Sequence, residues 1–233
     1  MAEAAYLALD TETTGLQPHD CALIELGAIV LDKQLQPIMD EGSVFHTFVQ
    51  PHGNAVIERK AIEINGHSWA VDPTHETYLA APTPPDAWKL FVTYLAKWFP
   101  KLNWIITVGW NPGFDTDFLK AMHLRHLQRV ALQVGVPVKE MVRKPLEGHG
   151  WPFHYHSIDG IGIARYLDIR TGQTRKSYSL ANMRKDLCPT GGMAEKYGAS
   201  HTALADVFAM LDVLQIMETQ YLHAAFDSAA PTS

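Results

Sequence analysis

Cysteine is nearly absent from this chain: Cys21 and Cys188 are the only two, and they share no C-x-x-C spacing. A disulfide framework and a cysteine-built zinc ribbon are therefore excluded, and a reducing, cytoplasmic setting is expected. No signal-peptide pattern opens the chain and no apolar run reaches the ~20 residues of a membrane span, so no membrane partner is expected. An excess of positive charge is missing too. With 19 Lys and Arg against 25 Asp and Glu the formal charge is -6, which argues against a protein that grips nucleic acid over its whole surface. Internal repeats and low-complexity tracts are also lacking.

What is present suits one stable α/β domain. The 233 residues are 47% hydrophobic, and a chain of this size buries about three quarters of its unfolded surface. We expect a single domain over 1–227, an irregular insertion at about 136–157 with three Pro, two Gly and three His, and a frayed tail at 228–233. The charge is uneven. Residues 139–185 hold nine Lys and Arg against four Asp and Glu, a net of +5 that leaves -11 elsewhere; an anionic ligand beside a cation-loaded acidic site would suit this, as would solvated helix faces.

Runs at 6–9, 22–31 and 44–49 read as three strands joined by turn formers, which predicts an antiparallel meander. Helix is predicted from about 87 to 99, with Asp86 as its cap, and a buried strand over 104–108. Phe118, Met122, His126 and Val130 then mark a helix from Asp115 to Gly135, and helices follow at 179–187 and 201–221. Three strands followed by helix, strand and helix make a mixed sheet flanked by helices.

The first strand runs into Asp10-Thr11-Glu12-Thr13-Thr14-Gly15. Side chains at i and i+2 share a face, and two like charges about 4 Å apart repel by roughly 1 kcal/mol in water and about 4 when partly buried. A hard divalent cation is the natural counter-charge. Two further segments carry similar chemistry: Asn111-Pro112-Gly113-Phe114-Asp115 at a strand-to-helix junction, and His201-Thr202-Ala203-Leu204-Ala205-Asp206. Five helical positions span 500°, about 140° off one face. For both to address one site, His201 must lie at or before the helix start, with Asp206 in the second turn.

In this order, Asp-x-Glu, Asn-x-x-Phe-Asp and His-x-Ala-x-x-Asp resemble the three exonuclease motifs of the DEDD superfamily in its histidine (DEDDh, DnaQ-like) branch, nearest to the proofreading subunit of bacterial DNA polymerase III. The resemblance runs from about residue 5 to 218. It implies an RNase H-like fold and a metal-dependent 3′-to-5′ exonuclease that releases nucleoside 5′-monophosphates from single-stranded or frayed DNA. An exoribonuclease and a non-catalytic binding module are the alternatives.

The catalytic set implied is Asp10, Glu12, Asp115, His201 and Asp206. Asp10, Glu12 and Asp206 would hold two Mg²⁺ or Mn²⁺ ions, with Asp115 acting largely through metal-bound water. His201 would be the base, since an imidazole titrates near working pH; the tyrosine branch would need Tyr where Thr202 stands.

For substrate, the resemblance implies Thr13, Thr14, Gly15, Ile64, Asn65, Asn111 and Phe114, with amides and hydroxyls from the Thr13–Gly15 turn and stacking from Phe114. Asn65, His67 and Trp110 depart from the usual residues of the family. The implied partner is a DNA or RNA 3′ end, with a polymerase or repair partner possible but no carboxy-terminal docking extension. The histidines at 123, 126, 149, 154 and 156 lack a zinc spacing and are expected to be solvated or hydrogen-bonded. Trp69, Trp88, Trp98 and Trp104 are expected in or near the core, and both cysteines as buried thiols.

Overall fold

The computed structural model describes residues 3–102, 104–137, 139, 151–188 and 201–228. Strands β1 (Tyr6–Thr13), β2 (Leu23–Leu31) and β3 (Val44–Phe48) form the expected antiparallel meander. Next come α1 (Arg59–Asn65), a 3₁₀ turn (Ser68–Val71), α2 (Glu76–Ala80), α3 (Pro84–Trp98) and β4 (Ile105–Gly109). The chain continues through α4 (Pro112–Val134), β5 (Phe153–Asp159), α5 (Gly160–Thr171), α6 (Leu180–Leu187) and α7 (Ala203–Ser228). The sheet order is β3-β2-β1-β4-β5, with β4 and β5 parallel to β1.

Alternation along β1 sorts the core into two layers. Leu7 and Leu9, with Leu26, Ala28 and Val30 of β2, pack on Trp88, Phe91, Leu95, Phe118 and Leu119 of α3 and α4. Ala8, Ile29, Leu31 and Val108 face Val207, Phe208 and Leu211 of α7. Covered on both faces, β2 is buried along its whole length, which explains its unbroken apolar run. Burying each large aliphatic or aromatic side chain of these layers contributes about 1.5–3 kcal/mol.

Several boundaries differ from expectation. The supposed irregular insertion ends in β5, whose sequence Phe-His-Tyr-His-Ser-Ile-Asp hides a strand because it lies at the sheet edge with most side chains partly or fully exposed; residues 140–150, His149 among them, lie outside the described residues. Helix α5 escaped notice because Gly160 and Gly162 interrupt its start, where Asp159 caps it by accepting from the Ile161 amide. Helix α3 begins earlier than predicted, after Thr83, while Asp86 sits in its first turn and pairs with Arg129 of α4. Helix α7 runs on to Ser228; the rest of the predicted tail lies outside the described residues.

Two side chains overturn their expected surroundings. Trp104 is 63% exposed, stacked on His154 at the sheet edge. His123 is buried, ringed by Trp88 and Trp151, and among the described residues neither of its ring nitrogens finds a partner.

Burial, helped by the neighbouring His126, pushes the His123 imidazole down to about 4 from 6.5. Between these values the unfolded chain binds a proton that the folded chain refuses, so this group removes stability as pH falls from 6.5 toward 4. The slope approaches about 1.4 kcal/mol per pH unit. A His123→Leu variant should lose that slope, read as the difference between wild-type and variant urea-unfolding energies at pH 7 and pH 5; parallel curves would disprove it.

Candidate active site

Asp10 and Glu12 project from β1 onto the face covered by α7. Opposite them in the register stand Gly27 and Glu25 of β2. Gly27 is what admits the helix: a Cβ there would lie 2.5 Å from the Leu204 amide nitrogen and 2.7 Å from the Ala203 carbonyl carbon. The start of α7 thus rests on bare backbone, which carries Asp206 to the strand. One carboxylate oxygen each from Asp10, Glu12 and Asp206 fall within 4.8 Å of one another.

His201 lies before the helix, as its spacing requires, with a left-handed backbone (φ 70°) and an exposed ring. Asp206 sits in the first turn of α7 rather than the second, its amide bonded to the Thr202 carbonyl at 3.0 Å. The His201 charge and backbone amide both act on the Asp206 carboxylate.

Asp115 reaches the same place from the other side of the sheet. The β1–β4 pairing ends at Ala8 and Val108, so the end of β1 has backbone groups without a strand partner on that side. Asp115, buried in the first turn of α4, accepts from the Thr11 amide at 2.9 Å and the Thr11 hydroxyl at 2.7 Å. Asn111 begins α4 in a left-handed conformation (φ 71°), and its amide donates to Asp159 at 3.1 Å.

The electrostatics match a site built for cations. Burial, followed by repulsion from Asp115, Asp206, Glu12 and Glu25, pushes the Asp10 carboxyl well above its ordinary value. Burial and then Asp206 lift Glu12 to about 8. Asp115 is raised to about 7 by burial despite its bonds to Thr11, and burial also raises Asp206. All four shifts oppose ionisation, and a divalent ion would relieve them. Three converging carboxylate oxygens are also the donor set that Mg²⁺ or Mn²⁺ prefers. No described histidine belongs to a comparable group of ligands.

The expected substrate residues divide into two kinds. Thr14 is fully buried, its hydroxyl donating to Val56 O at 2.7 Å and accepting from the Ala22 amide at 2.8 Å, and the Thr13 hydroxyl donates to Gly15 O. These hydroxyls already hold the turn together. A Cβ at Gly15 would lie 2.6 Å from Cys21 Sγ and from the Glu58 carboxyl, so these side chains would have to move aside to admit one. Asn65 is buried and donates to Thr13 O at 3.0 Å, a supporting role. Ile64 is 54% exposed, Phe114 is half-buried against Phe118, and Asn111 is exposed. Leu16, at 69% exposed, adds an apolar side chain in the same turn region.

Sequence reasoning missed Gly27, Glu25, His46 and Asp159. Asp159 had a readable signal, a capping Asp at the end of an alternating run; the others depend on register, which no local motif carries.

Solved structures that share this fold include nucleases. Cell-death related nuclease 4 (CRN-4) superposes with a TM-score of 0.64 at 16% identity, over 94% of this chain and 64% of that one. E. coli exonuclease I in complex with a dT13 oligonucleotide gives a TM-score of 0.64 at 16% identity, over 97% of this chain and 43% of that one. The chain thus spans less than two thirds of either. Among sequences, ribonuclease T of Vibrio parahaemolyticus is 24% identical over 85% of this chain and 78% of its own length. Ribonuclease T of Cronobacter sakazakii is 27% identical over 48% of this chain and 49% of its own. The family model described as Exonuclease (RNase T) matches residues 7–132, just over half the chain and the stretch that contains Asp10, Glu12 and Asp115, so the chain belongs to the exonuclease family of nucleases within the DEDD superfamily.

Proposed function

We propose that this protein is a metal-dependent 3′-to-5′ exonuclease of single-stranded or frayed DNA ends, releasing nucleoside 5′-monophosphates. The observation that carries this is the meeting of Asp10, Glu12 and Asp206 within 4.8 Å, with Asp115 fixed beside them by Thr11. Asp10, Glu12 and Asp206 are the residues that would hold two divalent ions, and such a pair stabilises the attacking and leaving oxygens of a phosphodiester together.

The chain's own groups supply the rest. Asp115, unable to swing away from Thr11, orients water in the site. His201, exposed at the mouth of α7, takes the proton from the attacking water. Ile64, Leu16 and Phe114 offer apolar surface to an unstacked terminal base, which favours an end not held in a duplex.

RNA is the second reading, favoured by the ribonuclease T names of the two relatives. Telling the polymers apart requires a contact to the 2′-hydroxyl. Parallel digestion of matched DNA and RNA oligonucleotides, single- and double-stranded and labelled at the 5′ end, with Mg²⁺, Mn²⁺ or chelator, tests both readings. A ladder shortening from the 3′ end on single strands is expected. Endonucleolytic fragments, or activity unchanged by chelator, would overturn the reading. His201→Ala should slow turnover by about 10²- to 10⁴-fold if the ring is the base, and an unchanged kcat would remove it from that role.

A further inference from the structure

Behind the carboxylate cluster lies a second buried arrangement that the reaction as described does not use. Glu25, 1% exposed, is the register partner of Glu12, and directly opposed residues of an antiparallel pair share a face. Its carboxylate turns to two imidazoles: Oε1 meets His46 Nε2 of β3 at 2.7 Å, and Oε2 meets His67 Nε2 at 2.6 Å. His67 is buried, and its ring packs against Phe48 and Trp69 at 5.6 and 5.8 Å between centroids. The His67 amide donates to Asn65 Oδ1 at 3.0 Å, and Asn65 Nδ2 donates to Thr13 O at 3.0 Å. The Asn65 side chain also favours the ionised form of Glu12.

Resting on the nuclease reading, we propose that Glu25, His46 and His67 form a positioning clamp for the metal centre: the imidazoles restrain Glu25 from joining Asp10, Glu12 and Asp206 as a further ligand, and the His67 backbone holds Asn65 against Thr13. Removing an imidazole frees a carboxylate whose charge already acts on Asp10, Glu12 and Asp206. A freed carboxylate competes for the ion, and an ion with one ligand too many has less room for water and phosphate.

This yields a signature that loss of packing would not produce. In His67→Leu, kcat falls about 10-fold or more while the Mg²⁺ concentration for half-maximal activity decreases. Adding Glu25→Gln, which keeps an acceptor for His46 but removes the competing charge, restores most of the lost kcat. His67→Gln, whose amide can still donate to Glu25, keeps wild-type behaviour. Calorimetric Mn²⁺ titration of the same variants gives a readout independent of turnover: binding tightens in His67→Leu and relaxes in the double variant. Unchanged kcat and Mn²⁺ affinity in a folded His67→Leu, or a double variant no faster than the single, overturns the clamp. If His67→Leu fails to fold, wild-type kcat in a folded His67→Asn, too short to reach Glu25, overturns it equally. Wild-type protein that cleaves nothing would sink the nuclease reading instead, leaving the Mn²⁺ titrations to judge the clamp alone.

Discussion

Asp10→Asn and Asp206→Asn should each lower hydrolysis by roughly 10³-fold or more, because a metal's charge stabilisation of several kcal/mol corresponds to a decade for each 1.36 kcal/mol. The same substitutions should raise, not lower, the Tm of metal-free protein. Both carboxyls are pushed up chiefly by burial, joined at Asp10 by repulsion from the neighbouring carboxylates, so a neutral isostere removes an opposed charge and keeps the shape. Glu12 shows the pH dependence that goes with this. Its folded value of about 8 stands above the ordinary 4.5, so between those values the folded chain holds a proton that the unfolded chain has released. Metal-free stability should therefore decline as pH rises through that window. Mg²⁺ should reverse the decline in wild type by binding only the folded state. Thermal scans at pH 5 and pH 8, with Mg²⁺ and with chelator, check all of this; a metal-free Asp10→Asn protein melting well below wild type would refute it.

Gly27→Ala should rank next. The added methyl meets main-chain atoms of Ala203 and Leu204 at 2.5–2.7 Å, and main chain cannot rotate aside as a flexible side chain can. The first turn of α7 must lift, and Asp206 with it. A displacement near 1 Å in a reacting constellation costs about 10²-fold in rate, and overpacking of this kind costs about 1–3 kcal/mol of stability. Urea unfolding and single-turnover hydrolysis would measure both. Gly53→Ala, where a Cβ meets nothing within 4 Å, is the comparison that should change neither. Full activity in a folded Gly27→Ala would mean that this close approach does not set the position of Asp206.

The contrast between Asp206 and Gly27 shows what the sequence could disclose. Asp10, Glu12, Asp115 and Asp206 could be singled out as candidates because carboxylates at strand ends and helix starts show in the spacing, and His201 because it stands five positions before Asp206. The meander was readable because β1 and β2 are apolar runs parted by turn formers. Gly27 was not, because its importance lies in what crosses it from residues 203–204, about 175 positions away. Glu25 carries no local signal, because only the register sets it beside Glu12 and only the folded chain brings two histidines to its carboxylate. Strand β5 was missed for a related reason: an edge strand with exposed His and Tyr shows neither strict alternation nor a continuous apolar run.

The early end of the β1–β4 ladder also gives the site a built-in probe. The Thr11 amide proton points at the Asp115 carboxylate rather than at a neighbouring strand, so its magnetic environment follows the charge on that acid. Burial pushes the Asp115 carboxyl up to about 7. A single backbone resonance in an amide correlation spectrum should therefore shift with a midpoint near neutral pH, and the midpoint should move to lower pH once divalent ions occupy the carboxylates, reporting the state of the site with no nucleic acid present.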